Sequence, residues 1–184
     1  TSNTYQLSAT PTTENRRDTM FYSRYYPRRM TAEQILDAIC QVSGISEAFD
    51  GQPAGTRAQQ LPDTKVASAF LDVFGRPLRR SASCECERIQ DPNLGQALEL
   101  LNGTELHDRV VSDEGLVNRL IQQSVDDRDL VEAMYLGSLS RLPGTREVDA
   151  ILAGAPADNA KLRRQYYEDL LWALLNGKEF LFNH

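Results

Sequence analysis

Two of the three cysteines in this 184-residue chain lie one residue apart, in the run Cys84-Glu85-Cys86-Glu87-Arg88. In an extended segment, both thiols would point to one face and both carboxylates to the other. Two thiolates on one face could chelate a soft metal ion. A Cys84–Cys86 disulfide would instead close a small, strained and easily reduced ring. The third interpretation, which we favour, is the packing of small side chains in a segment held by glutamate–arginine pairs.

Arginines on either side of this run extend it to a candidate functional cluster, which we call the cysteine cluster. Its members are Arg76, Arg79, Cys84, Glu85, Cys86, Glu87 and Arg88. Zinc usually takes four ligands, and the cysteine spacing matches no common zinc pattern. We therefore name no metal ligands, although the residue types alone leave free thiols, a disulfide and metal binding open.

A second candidate region interleaves arginines with aromatic residues. Its members are Arg16, Arg17, Phe21, Tyr22, Arg24, Tyr25, Tyr26, Arg28 and Arg29. Such residues can stack on single-stranded nucleic acid or on the faces of sugars. Because acidic side chains are concentrated in the second half of the chain, we favour arginines that fix the N-terminal loops to that half, with tyrosines as amphipathic core. The candidate binding residues of this region are Arg24, Tyr26, Arg28 and Arg29.

No catalytic residue is identified among the remaining polar groups. His107 lies between Glu105 and Asp108, but no serine or cysteine motif accompanies it, so we interpret it as a solvated or capping histidine. The aspartates at 126–129 lack the glycine and glutamate spacing of a calcium loop. They are better explained as the start of a helix, where acidic side chains oppose the helix dipole.

Charge is divided unevenly along the chain. Residues 1–92 hold 11 basic and 11 acidic side chains, whereas residues 93–184 hold 9 and 15, which gives a net charge of −6. An acidic domain is a poor general binder of nucleic acid, because phosphate neutralisation needs a clustered positive surface. No run approaches the ~20 apolar residues of a membrane span, and no signal-peptide pattern is present. Since the chain lacks an initiator methionine, we expect it to be a fragment of a larger protein.

The second half of the chain has helical spacing. Helices are predicted to start near residues 91, 112, 126, 145 and 158. The last of them extends to Asn176, and its predicted inward stripe is Leu162, Tyr166, Leu170, Ala173 and Leu174. These short helices with short connections are typical of a bundle.

The first half has only one clear helix, over residues 31–43. Thr31 and Gln34 form a capping box, and Gly44 supplies the stop. A short strand is predicted over 56–61 and a short helix over 66–74. We therefore predict a mainly α fold in a single domain, 1–184. It comprises a C-terminal helical bundle (91–184), a long irregular, arginine-rich N-terminal half (1–90), and at most one or two short strands.

Several motifs of the chain resemble a known family. They include Tyr-Pro-Arg-Arg-Met-Thr at 26–31, Phe-Gly-Arg-Pro at 74–77, Cys-Glu-Cys-Glu-Arg at 84–88 and the ending at 169–183. Further matching stretches lie at 4–8, 36–42, 55–58, 60–63, 100–103, 134–136 and 139–141. Together they resemble the C-terminal "PSD" domain of unknown function found in planctomycete-type exported cytochrome c proteins. The chain departs from that pattern at Gly177 and at Cys40, so Cys40 is not expected to belong to a shared site.

The resemblance implies the type of polypeptide and the cellular compartment of this domain, but it identifies no reaction. Family members are usually multidomain, with haem c bound by an upstream domain, so no cofactor is expected in this fragment. They are exported, and a periplasmic or similar oxidising compartment would favour a disulfide over free thiols. Upstream domains of the same polypeptide are the expected partners. One hypothesis is that the domain contributes to a substrate or interdomain site of an oxidoreductase acting on carbohydrate-like substrates. The other is a non-catalytic module that docks onto those domains.

Overall fold

The computed structural model of the protein describes residues 3–76, 94–156 and 158–183. Within these ranges the chain is mainly α-helical, which confirms the predicted fold class. The helices are α1 (Ala32–Ser43), α2 (Ala69–Val73), α3 (Leu94–Asn102), α4 (Thr104–Val111), α5 (Leu116–Gln122), α6 (Asp127–Leu139), α7 (Thr145–Gly154), α8 (Ala160–Asn176) and α9 (Lys178–Leu181). Two strands, β1 (Arg28–Arg29) and β2 (Phe182–Asn183), pair antiparallel. None of the described helices is long and apolar enough to cross a membrane.

Helix α1 begins and ends as its local sequence predicts. The Thr31 hydroxyl accepts a hydrogen bond from the Gln34 amide at 3.3 Å, and the Gln34 side chain accepts one from the Thr31 amide at 2.9 Å. This reciprocal capping box satisfies two backbone donors that the helix itself cannot. Gly44 ends the helix with a φ of 78°, a left-handed conformation that favours glycine. The apolar side chains predicted to face inward are buried: Ile35, Leu36, Ile39 and Val42.

Helix α8 is the central helix of the C-terminal bundle and packs against α4, α5, α6 and α9. Its Tyr167, Leu171 and Leu175 side chains have no exposed surface. The predicted inward stripe is confirmed in part, since Tyr166, Leu170 and Leu174 are partly buried against the core. Leu162, which is 50% exposed, and Ala173 do not face inward. The fully buried side chains lie on the stripe that adjoins the predicted one.

The segment over residues 56–61 is a 3₁₀ turn, Ala58–Gln60, and the predicted strand is wrong. The cause lies on α1, where the buried Asp37 carboxylate accepts hydrogen bonds from two consecutive backbone amides. These are the amide of Ala58 at 2.6 Å and that of Gln59 at 3.2 Å. Two adjacent amides that point to one carboxylate bend the chain around it, and a strand would alternate their directions.

Helix α4 was not predicted, because its sequence is rich in charged residues. Leu106 and Val110, one helical turn apart, are buried. Gly103 separates α3 from α4, and a Cβ there would lie 2.2 Å from the carbonyl oxygen of Glu99. Only glycine fits this close to the last turn of α3. Since α4 continues to Val111, the next helix starts later than the predicted residue 112.

The C-terminal end of the described chain pairs, as β2, with the strand β1 that precedes α1. Arg28 is opposite Asn183 and Arg29 is opposite Phe182. The pairing continues one residue further, where the Met30 amide donates to the Leu181 carbonyl at 3.0 Å. This contact holds the C-terminal residues against the segment that leads into α1.

An arginine between α6 and α7 joins three elements of the bundle. The Arg141 guanidinium donates two hydrogen bonds to Glu147 on α7, at 2.9 and 3.0 Å, and two to Glu179 on α9, at 2.5 and 3.0 Å. The Glu147 carboxylate also accepts the Gly144 amide at 2.6 Å. These bonds, led by those from Arg141, lower the pKa of Glu147 to about 2.

We expect Glu147→Gln to lower the free energy of unfolding by up to about 1 kcal/mol at neutral pH, the range for exposed ion pairs. The folded-state pKa of Glu147 lies below the usual value of 4.5. The stabilisation is therefore fully present above pH 4.5 and is lost as the pH falls towards about 2. Urea unfolding of wild type and variant across this range measures the difference. Glu14→Gln, at an exposed glutamate outside the ion pairs of the described residues, is the control. A difference between wild type and Glu147→Gln that does not shrink below pH 4.5 would contradict the assignment.

Candidate functional site

The segment from residue 3 to residue 27 lies on the surface and contains no buried residue. Five of its large apolar side chains are exposed, and we call them the N-terminal face: Tyr5, Leu7, Met20, Phe21 and Tyr22. Elsewhere among the described residues, exposed large apolar side chains are single leucines on or beside helices. Scattered leucines need no explanation, but exposed apolar side chains concentrated in one segment indicate an interaction surface.

The most exposed part of the N-terminal face is a loop organised by one carboxylate. Asp18 accepts hydrogen bonds from the amides of Met20, Phe21 and Ser23 at 2.9, 2.8 and 2.9 Å. It also accepts the Ser23 hydroxyl, which with these amides holds the pKa of Asp18 well below its usual range. Tyr22 has a φ of 54°, in the left-handed region. The loop is thus held in a single turn, with Met20 and Phe21 75% and 87% exposed.

Contacts within the segment hold this loop against its neighbours. The Tyr25 amide donates to the Ser8 carbonyl at 3.2 Å, and the rings of Tyr5 and Tyr25 meet edge to face at 5.3 Å. The Arg24 guanidinium lies 4.8 Å from the centre of the Tyr26 ring. Burial, together with the nearby Asp18 carboxylate, raises the pKa of Tyr26. Arg24 and Tyr26, two of the predicted binding residues, therefore contact each other.

The other two predicted binding residues form β1, and their side chains bind different parts of the protein. Arg28 donates from Nη2 to the Tyr22 hydroxyl at 3.5 Å, next to the N-terminal face. Arg29 donates to the Phe74 carbonyl at 3.3 Å and to the Gln96 side-chain oxygen. Arg29 thus fastens β1 to the residues that follow α2 and to α3, whereas Arg28 stays exposed.

For four of the N-terminal arginines, the expected ion pairs to the acidic half are not seen in the part of the chain that the structure describes. Arg16, Arg17, Arg24 and Arg28 take part in none of its ion pairs. Carboxylates of the second half are bound by arginines of the same half, in the pairs Arg163–Asp127, Arg164–Asp113 and Arg141–Glu147. An ion pair that does join the two halves runs the other way: Arg109, from the second half, donates to Glu47.

The described part of the cysteine cluster is Arg76, which is buried. It binds Asp72 through Nε and Nη2, at 3.2 and 2.6 Å, and the Val66 carbonyl through Nη1 at 2.9 Å. Its guanidinium therefore closes the loop around α2. It also borders a cavity of about 350 Å³ shared with Thr31 and Gln34. The rest of the cluster lies outside the described residues: Arg79, Cys84, Glu85, Cys86, Glu87 and Arg88.

The described residues offer no metal site, since they contain no group of three or more histidine, cysteine, aspartate or glutamate side chains that could hold an ion. The third cysteine, Cys40 on α1, carries a free thiol. Burial raises the pKa of this thiol, an effect that Arg109 partly offsets. Cys40 is therefore protonated and unreactive near neutral pH.

The residues of this surface that were not among the candidate site residues predicted from the sequence are Tyr5, Leu7, Asp18 and Met20. An aspartate followed within five residues by a serine is a common turn composition, so the pattern alone does not single out Asp18. Phe21 and Tyr22 belong to the predicted arginine–aromatic region, but they were expected to pack against the rest of the domain and are exposed instead.

The structure thus defines a helical domain with an exposed aromatic segment at its N-terminal side. Residues 1–154 match the model of the PSD1 family, described as a protein of unknown function (DUF1553). The chain belongs to this family, which confirms the resemblance to the PSD domain. No curated protein and no solved structure matches the chain.

Proposed function

We propose that this domain is a non-catalytic interaction module that docks onto the preceding domains of its own polypeptide through the N-terminal face. The observation that carries the proposal is the pair Met20 and Phe21, 75% and 87% exposed on a loop that the Asp18 carboxylate holds in place. Binding interfaces gain most of their energy from a few aromatic or other large side chains. A loop that is already ordered loses little entropy when it binds.

The partner is chosen on the family resemblance, which implies upstream domains of the same polypeptide. The five members of the face lie between residues 5 and 22, in one segment of the surface. Domains of one polypeptide meet at a high effective concentration, set by the linker between them. The face would then be covered in the full polypeptide, which accounts for apolar side chains that this domain leaves in water.

The wider context is part of the same proposal. We expect an exported polypeptide in which a cytochrome c-like upstream domain binds haem c and this domain binds no cofactor. The alternative, a substrate site of an oxidoreductase acting on carbohydrate-like substrates, would use the cysteine cluster. It has less support, because the donors of Arg76 are committed to Asp72 and to the Val66 carbonyl.

The test is to mix residues 1–184 with the separately produced part of the polypeptide that precedes residue 1, and to measure binding by calorimetry. We expect Phe21→Ser to weaken binding by about 10- to 100-fold, which corresponds to the burial of one large apolar side chain. Asp18→Ala, which frees the loop but leaves Phe21 in place, is expected to weaken binding by a smaller factor.

The matched control is Leu162→Ser, an equally drastic change at a leucine that is 50% exposed on α8. It should bind as the wild type does. The proposal fails if the preceding part of the polypeptide does not bind, or if Phe21→Ser and Leu162→Ser bind with equal affinity.

A further inference from the structure

A groove of about 720 Å³ lies between α1, the β1–β2 pair and the ends of α6 and α9. This volume is within the usual range for sites that bind small molecules, roughly 300–1,000 Å³. Among the described residues, the charged side chains that line it are Arg28, Arg29, Arg57, Asp37 and Glu179. The net charge of the protein is −6, whereas these three arginines and two carboxylates sum to a positive charge.

Both carboxylates of the groove already have partners. Asp37 accepts the amides of Ala58 and Gln59 and also the Gln59 side-chain amide, at 2.6, 3.2 and 3.0 Å. Glu179 accepts two hydrogen bonds from Arg141, at 2.5 and 3.0 Å. Both carboxylates are therefore largely engaged by protein donors, and the contact that Asp37 makes with a groove arginine is a long one, 3.5 Å to Arg57 Nε.

The three arginines of the groove differ in the contacts that they make with other protein groups. Arg29 is bound to the Phe74 carbonyl and to Gln96. Arg57 approaches Asp37 only through Nε, at 3.5 Å, and its side chain is 57% exposed. Arg28 is exposed and makes one long hydrogen bond, 3.5 Å, to a tyrosine hydroxyl. Arg28 and Arg57 thus line the groove from two different elements, the strand β1 and the loop beside α1.

The remaining polar lining is neutral. Gln34 and Gln41, on the same face of α1, border the groove together with Gln59. Phe182 adds an aromatic side chain. Guanidinium groups bind carboxylate, phosphate and sulfate through paired hydrogen bonds, and amides suit the neutral polar groups of the same molecule.

We propose that this groove binds a small organic oxyanion, whose acidic group pairs with Arg28 and Arg57 and whose polar body contacts the glutamine amides. No member of the N-terminal face lines the groove, although Arg28 also donates to the hydroxyl of Tyr22. Arg76, the described member of the cysteine cluster, does not line the groove either.

The test is calorimetric titration of residues 1–184 with citrate, inorganic phosphate and sulfate, each at constant ionic strength maintained with sodium chloride. We expect saturable binding of at least one of these probes, and the strongest of them identifies the acidic group. Arg28→Gln/Arg57→Gln should weaken that binding by at least about tenfold, as expected for the loss of charged hydrogen bonds.

The control is Arg16→Gln/Arg17→Gln, which removes the same charge from two exposed arginines outside the groove. It should bind the probe as the wild type does. Because Arg57 also contacts Asp37, Arg28→Gln alone is measured too, and we expect it to weaken binding several-fold without changing the thermal midpoint. The proposal is overturned if no probe binds saturably, or if the two double variants weaken binding equally.

Discussion

Ending the chain at residue 154, where the family match stops, is expected to abolish cooperative folding. The deletion removes α8 and α9, although these helices supply part of the core. Leu171 and Leu175 have no exposed surface, and Phe180 is 5% exposed. Burial of three such side chains is worth roughly 5–9 kcal/mol. That is comparable to the whole net stability of a domain, about 5–15 kcal/mol.

The loss of stability would exceed the contribution of the removed side chains alone, because their neighbours would become exposed as well. Helix α8 packs against α4, α5 and α6, whose buried residues include Val110, Val117 and Leu130. Without α8, these apolar side chains would face water. We therefore expect a chain of residues 1–154 to lack a cooperative thermal transition, as measured by circular dichroism and calorimetry.

A shorter deletion is the matched control. A chain of residues 1–181 loses β2 and its pairing with β1 but keeps α8 and α9. It should unfold cooperatively, at a moderately lower temperature than the full chain. A cooperative transition for residues 1–154 close to that of the full chain would show that the matched region folds by itself and would contradict the packing described above.

Local chemistry accounts for the elements that the sequence predicts well. Helix α1 has its start fixed by Thr31 and Gln34 and its end by Gly44, all within its own neighbourhood. The turn at 58–60 depends instead on Asp37, and β1 pairs with a strand more than 150 residues away. Such contacts are decided by tertiary structure, and no local pattern shows them.

The candidate site was predictable only as a region. Aromatic residues and arginines mark the stretch around Phe21 and Tyr22, but residue type does not show whether such side chains are buried or exposed. The turn that exposes Phe21 is built by Asp18, through hydrogen bonds to three backbone amides that the sequence does not reveal.

In helix α8, too, residue type does not show which side chains are buried, because its apolar residues occur as adjacent pairs at a spacing of four. The pairs are Tyr166-Tyr167, Leu170-Leu171 and Leu174-Leu175. Two neighbouring stripes are therefore equally apolar, and helical periodicity cannot choose between them. The surrounding helices make that choice, and they bury Tyr167, Leu171 and Leu175.

Leu171→Ala is accordingly expected to destabilise the domain by about 2–5 kcal/mol, the usual cost of a leucine-sized cavity in a core. Leu162→Ala, the same change at a side chain that is 50% exposed, is expected to cost about 0.5 kcal/mol or less. Urea unfolding of both variants measures the difference, provided that the slope of the unfolding free energy against urea concentration is unchanged. If Leu162→Ala were the more costly change, α8 would have to be rotated so that the stripe predicted from the sequence faces the core. The ratio of the two effects therefore reports directly on which face of the helix is buried.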